Sequence, residues 1–333
     1  MKTCLIYGHN GLDLDVTFNL VAFYKKLGFK TFFSGKLYDA NLLVVVRAVD
    51  KPIDLSVFHY SLIHVFDYGG WNYDGFVNSI DHNKCYIFCT AESKRKRIIE
   101  QLHFPKDHIF VAFPPVETSL WIAKNKRVKY EFVHIGNYKP MTDNDPFKNF
   151  FLQAITKFKV NIWGIGWALS EKKIYHGKAG LFEVSSIYAQ SRFACGLMYP
   201  FQRDVTFSGR FWHAPLNGCY LFSEPGLYTQ LIPGVIETDY SIEQIRQYML
   251  SCFNRNILQK TAIEFWKTQN NHLQSLISPT LVLMTQDDIN QRRLQGFIFI
   301  RLSCINHLKL FYQKLLFFSV IDVIKSNLKL FND

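Results

Sequence analysis

The sequence predicts an α/β protein of two successive Rossmann-like units, each with a doubly wound parallel sheet, followed by a helical extension. Three observations carry this. Apolar strand-like runs alternate with helical periodicity over residues 1–125. The alternation restarts after the charged bridge KNKRVK at 124–129, which reads as a linker. From Arg292 onward, apolar residues fall at three- and four-residue steps among scattered lysines and arginines. The chain divides accordingly into 1–125, 126–285 and 286–333. A length of 333 residues suits two domains at roughly 100–200 residues each.

The elements follow in order. KTCLIYG (2–8) is a buried strand ending in Gly, and VTFNLVAFYKKLG (16–28) has helical spacing and a Gly stop. KTFFSG (30–35), LLVVVRA (42–48), LIHVFDYGG (62–70) and KCYIFCT (84–90) read as strands. SKRKRIIEQLHF (93–104) is an amphipathic helix whose basic start, AESKRKR (91–97), reads as a solvated face; HIFVAFPP (108–115) is a short strand. In the second unit the strands are YEFVHIGNY (130–138), KVNIWGIGW (159–167), FACGLMYP (193–200) and CYLFSE (219–224). The helices are 147–158, 183–191, 209–218 with an internal Pro, 241–250 and most of 254–277. The extension is a basic amphipathic helix or helix pair. It either packs on the domains or lies on an anionic membrane surface.

Composition narrows the function. At 48% hydrophobic and 16% aromatic, the chain has ample material for buried cores, which excludes general disorder. Seven scattered cysteines without a C-x-x-C pair argue against a disulfide framework or structural zinc, and for a reducing, cytoplasmic setting. No signal peptide or membrane-spanning run is expected. A net charge of +11 favours anionic partners without choosing among them. P-loop, kinase, zincin, dinucleotide and α/β-hydrolase motifs are missing, which removes most of the weight from those classes.

Ligands of open α/β sheets bind beyond the carboxyl ends of the strands, so those turns hold the candidate residues. Gly8, His9, Asn10 and Gly11 follow the first strand. Gly136, Asn137 and Lys139 end the first strand of the second unit, where a Gly turn beside a lysine suits phosphate. Gly164 lies between Trp163 and Trp167, which either frame a planar base or sugar or simply pack in the core. Arg210 and Phe211 open a helix; an arginine fork at a helix start is suited to a pyrophosphate. Asn217 and Gly218 close that helix, and Glu224 follows the next strand.

Residues 85–240 resemble GT-B glycosyltransferases of the group 1 type, most closely the spore-maturation CgeB-like branch. The resemblance is an ordered series of pieces: YIFCTAESKRKRIIEQLHFPKDHIFVAFPPVETSLW, YEFVHIGNYKP, VNIWGIGW, IYHGKAGLFEVSSIYAQSRFACGLMYP and SGRFWHAPLNGCYLFSE. It implies the GT-B fold, with sugar transfer from a nucleotide-sugar donor held by the second domain to an acceptor held by the first. Arg210 then holds phosphate, with Gly136 and Lys139 across the cleft floor. The family's Glu, which accepts from ribose hydroxyls, is replaced by His213, and a neutral imidazole accepts one hydrogen bond only. No cofactor or bound metal is expected; the diphosphate is offset by Arg210 and Lys139. If transfer inverts, a general base is required, and the N-domain candidates are Asp67, Asp13, His9 and His64. If it retains, His64 or a backbone carbonyl stabilises the sugar. The expected partners are a nucleotide-sugar, a glycan or lipid-linked glycan acceptor of surface polysaccharide or lipopolysaccharide synthesis, and an anionic membrane at the inner face. Nucleic acid is not expected. The departure at His213 keeps a second reading open, a non-catalytic nucleotide- or sugar-binding protein on the same scaffold.

Overall fold

The computed structural model of the chain describes residues 2–7, 14–34, 40–45, 58, 60–65, 84–124, 127–137, 153–167, 174–196, 207–226, 228–238, 241–251 and 254–291. Two parallel sheets with flanking helices fill them, as the sequence predicts.

The first sheet comprises β1 (Thr3–Tyr7), β2 (Lys30–Ser34), β3 (Leu42–Val45), β4 (Tyr60–Val65), β5 (Cys85–Cys89) and β6 (Ile109–Val111), in the order β2-β1-β3-β4-β5-β6. Every pairing is parallel. Helices cover both faces of such a sheet, so its inner strands are apolar throughout rather than alternating. LLVV of β3 and CYIFC of β5 are buried along their whole length.

Helix α1 (Leu14–Lys26) packs Val16, Leu20, Phe23 and Tyr24 inward. It opens with Asp15 and ends with Lys25 and Lys26, as the helix dipole favours. Gly28 terminates it at φ +89, with its N–H on the Lys25 carbonyl and the Phe29 N–H on that of Tyr24. Helix α2 (Glu92–Leu102) follows β5. Its basic start is a solvated face only in part: Lys96 and Arg97 are exposed, but Lys94 is buried.

The second sheet runs β11-β10-β9-β7-β8, again all parallel. Its strands are β7 (Tyr130–Ile135), β8 (Asn161–Trp163), β9 (Ser191–Cys195), β10 (Tyr220–Ser223) and β11 (Val235–Glu237). Phe132, Phe193 and Phe222 stack across three adjacent strands at 5.7–5.8 Å and anchor its core. Helices α4 (Leu181–Ala189), α5 (Arg210–Leu216) and α6 (Ile242–Leu250) belong to this half.

The link between the halves holds the short helix α3 (Thr118–Trp121). Asn19 of α1 accepts from the Glu117 N–H (2.9 Å) and from Trp121 Nε1 (2.7 Å). The long helix α7 (Arg255–Gln291) then returns to the link. Asn270 clamps both backbone groups of Val116, at 2.9 Å each. Farther along α7, Thr280 hydrogen-bonds Tyr86 of β5. The helix also continues past residue 285, where the sequence alone placed a division, and through Pro279. The basic run from Arg292 lies outside the described residues, among which no helix is long and apolar enough to cross a membrane.

Candidate active site

The carboxyl ends of β7 and β8 interlock. The Gly136 N–H donates to the Trp163 carbonyl (2.8 Å), and Trp167 Nε1 donates to the Gly136 carbonyl (2.7 Å). Asn137 Oδ1 accepts from the Ile165 N–H (2.9 Å), and the Tyr175 hydroxyl donates to the Gly164 carbonyl (2.8 Å). A Cβ on Gly164 would stand 1.9 Å from the Gly136 carbonyl oxygen, and φ there is +151, so only glycine fits. Trp163 and Trp167 are buried, the first stacked on His176 at 4.3 Å. Core packing, rather than a frame for a base or sugar, is their role.

Arg210 comes to this knot from α5. Its Nε–H donates to the Ile135 carbonyl (3.0 Å), which fixes the plane of the guanidinium. A Cβ on Gly136 would lie 2.8 Å from Arg210 Nη2 and 3.0 Å from His134 Nε2. The bare glycine therefore lets the cation lie against the end of β7. His134 donates its Nδ1–H to the Cys195 carbonyl, at 3.1 Å. Burial, then repulsion from Arg210, hold its pKa down at about 3, so the ring beside the guanidinium is neutral. The buried Tyr188 hydroxyl has no hydrogen-bond partner among the described residues; burial raises its pKa and the Arg210 charge opposes the rise. The half-buried Arg210 is thus a cation over glycine backbone at a strand end, an arrangement that suits a phosphate oxygen.

The next turn of α5 meets the N-terminal half. His213 is 3% exposed; Nδ1 lies 3.2 Å from Ser185 Oγ and Nε2 lies 3.4 Å from Asp15 Oδ2. Trp121 holds the ring edge-on at 4.7 Å. Both nitrogens face protein.

The structure thus brings Gly136, Asn137, Gly164 and Arg210 to one end of the second sheet. Phe211 is buried against Phe207 and Tyr228. Glu224 is buried just beyond β10. Asn217 and Gly218 sit at the other end of α5 and serve the link. Asn217 Nδ2 donates to the Trp121 and His213 carbonyls (2.9 and 2.7 Å), and Oδ1 accepts from the Ala123 N–H (2.9 Å). Gly218, at φ +69, lets the Arg255 carbonyl approach. His64 lies in the core of the first sheet, 3.1 Å from the Tyr24 hydroxyl and stacked on Phe88 at 5.1 Å; burial lowers its pKa to about 3. Gly8, His9, Asn10, Gly11, Asp13, Asp67 and Lys139 lie outside the described residues.

Sequence reasoning passed over Asp15, Ser185, His134 and Lys94. Lys94 Nζ donates to Thr90 Oγ1 (2.8 Å), which pairs with the Tyr228 hydroxyl of the second half (2.6 Å). An acidic residue in the first turn of a helix was the one available signal for Asp15, and it also marks ordinary helix starts. Among the described residues no cluster of His, Cys, Asp and Glu could hold a metal.

No protein-family model matches the sequence, and no curated protein does. The structure does have likenesses among solved structures. A glycosyltransferase involved in avilamycin A biosynthesis, AviGT4, aligns at TM-score 0.59 and 11% identity, over 85% of this chain and 98% of its own. A glycosyltransferase from Rickettsia africae ESF-5 aligns at 0.55 and 11%, over 86% and 98%. An alpha-glucosyltransferase solved with UDP and a 13-mer DNA aligns at 0.55 and 11%, over 85% and 99%. The chain has the GT-B fold, the architecture these glycosyltransferases share with it.

Proposed function

We propose that the chain is a glycosyltransferase that moves a sugar, in the hexosyl class, from a nucleotide-sugar donor to a hydroxyl acceptor. The observation that carries this is Arg210, fixed on the Ile135 carbonyl and lying against Gly136 at the carboxyl end of β7. In an open parallel sheet that end is where ligands bind, and the guanidinium offsets the charge that develops on a leaving diphosphate. Lys139, two residues beyond Asn137, belongs to the same donor site in this reading. Two glycosyltransferases of this fold were solved with UDP or UDP-glucose, which makes a uridine diphosphate sugar the first donor to try.

The acceptor we assign is a glycan or lipid-linked glycan of surface polysaccharide or lipopolysaccharide synthesis. The basic run after Arg292 supports its presentation at an anionic membrane. The test is turnover: UDP-, GDP-, CMP-, dTDP- and ADP-sugars are incubated with glycan acceptors and with duplex DNA, and nucleotide release is followed. Release with one donor and a glycan supports the full reading; transfer to DNA supports the donor assignment and replaces the acceptor.

One observation favours a second reading. His213 occupies the position where the CgeB-like pattern has Glu, and protein surrounds both its nitrogens. A scaffold that binds nucleotide sugar without turning it over would show donor binding and no release in the same assay.

A further inference from the structure

We propose that the amino-terminal end of the second sheet is a docking face for an anionic membrane; the inference deepens the membrane-presented acceptor of the reading above and rests on it. That end lies away from the carboxyl ends where ligands of open sheets bind, and it is cationic. Lys129 precedes β7, Lys159 stands two residues before β8, and Arg192 is the second residue of β9. β7 is the middle strand of the three, with Tyr130 opposite Ser191 and Val133 opposite Asn161. Two strand spacings therefore gather these cations across about 10 Å. Lys124 and Arg127 lie on the segment that enters β7, and Lys157 lies on the helical stretch 153–158 that leads to β8. Among the described residues the one acid at these strand starts is Glu131, which Arg192 holds at 2.9 Å. Lys124, Lys129, Lys157 and Lys159 are exposed and make no ion pair among the described residues.

The backbone at Lys159 is an independent observation. It takes φ +49 just past the helical stretch, a left-handed position where glycine and asparagine are the usual residues. Asn161 Nδ2 donates to its carbonyl at 3.3 Å, which holds the turn. The helix dipole favours a cation at this end, and Lys157 in the last turn already supplies one. An exposed lysine at a strained position, beside other cations, is there for its charge.

The chemistry of the face selects lipid over nucleic acid. Val128 is 42% exposed between Arg127 and Lys129. An apolar side chain among cations enters the boundary between headgroups and acyl chains, and gains nothing on a phosphate backbone. The nearby ring of Tyr130 packs edge-on against Trp163 at 5.2 Å and offers no open face to a base. From Arg292 the sequence carries seven Lys and Arg against two Asp, a second polybasic element suited to the same kind of surface.

The test is co-sedimentation of the full chain with vesicles of phosphatidylcholine carrying about one third phosphatidylglycerol, against pure phosphatidylcholine. UDP affinity and melting curves are read on every variant. Wild type binds the anionic vesicles only, and about 0.5 M salt releases it. Reversing the face with Lys129→Glu, Lys157→Glu and Lys159→Glu together lowers partitioning at least about 100-fold and leaves UDP affinity unchanged. The same number of reversals in the first half, Lys25→Glu, Lys30→Glu and Lys106→Glu, changes partitioning less than about fivefold. Lys159→Gly separates charge from fold: it relaxes the left-handed backbone and melts no lower than wild type, yet partitions about fivefold more weakly. Equal partitioning of wild type and the face reversal overturns the proposal and leaves the membrane reading to the run after Arg292. Equal loss from the two sets of reversals overturns it as well, because total charge then suffices. Binding to duplex DNA in place of vesicles overturns the lipid assignment. Failure of wild type to bind anionic vesicles overturns the membrane-presented acceptor, and this inference with it.

Discussion

Gly136→Ala probes the anion site proposed on Arg210 without touching its charge. Gly136 lies outside the left-handed region, so alanine meets no backbone penalty. The new methyl would stand 2.8 Å from Arg210 Nη2 and 3.0 Å from His134 Nε2. Comfortable contact needs about 3.5 Å. His134 cannot give way, because its ring is buried, held by the Cys195 carbonyl and flanked by Trp167 at 5.4 Å. The guanidinium therefore yields by roughly 0.7 Å, and its 3.0 Å bond to the Ile135 carbonyl passes beyond hydrogen-bond range. A hydrogen bond to a charged group contributes about 1.5–3 kcal/mol. A guanidinium displaced by that much forfeits its own charge-assisted bond to the phosphate, so nucleotide binding weakens by about 1.5–2 kcal/mol, or roughly 10- to 30-fold. Calorimetric titration of UDP into wild type and Gly136→Ala, with melting curves of both, reads this directly. A folded variant whose UDP affinity stays within twofold of wild type refutes the placement of the anion on Arg210.

Other expectations concern the scaffold. Gly164→Ala should cost about 3 kcal/mol or more in urea denaturation, because the new methyl collides with the Gly136 carbonyl at 1.9 Å. Asn217→Ala strips partners from the Trp121 and His213 carbonyls and the Ala123 N–H, and should cost about 3 kcal/mol; Asn217→Asp, which keeps the acceptor, should fall in between. Acid should destabilise the chain below about pH 6.5. His64 and His134 hold folded pKa values of about 3, beneath their unfolded values, so the unfolded chain binds two more protons between those limits. Stability then falls as pH falls, by about 2.7 kcal/mol per unit between about pH 6 and 4, and a flat urea midpoint over that range would contradict the burial of both rings.

Much of the fold was legible because parallel strands leave a direct trace. LIY, LLVV and CYIFC are apolar on both faces, and each ends near a Gly, a Thr or a polar turn. Elements held by distant contacts left less. β11 is three residues between Gly234 and Thr238 and exists by pairing with β10. α3 is a single turn fixed by Asn19. The sequence pattern carries the last helix only to about residue 277, yet α7 passes through Pro279, with Ile277 and Thr280 buried on either side. The site divides in the same way. Arg210 and the glycines of β7 and β8 follow from strand-end logic. The neighbours of His213 do not, because Asp15 is 198 positions away and Ser185 is 28. The resemblance implied a ribose-facing position for His213; in the structure its ring nitrogens lie against Ser185 and Asp15. Lys94 differs from its exposed neighbours Lys96 and Arg97 only in facing Thr90, which a basic run cannot reveal.

The nucleoside-diphosphate site proposed on Arg210 is read by a calorimetric titration of UDP into the full chain and into Arg210→Ala, with melting curves recorded at the same ligand concentrations. Wild type should bind, gaining about 2.7 kcal/mol of stability at 100-fold the dissociation constant. Arg210→Ala should stay folded and bind at least about 10-fold more weakly. Equal affinity in the two proteins would place the diphosphate elsewhere and contradict the account.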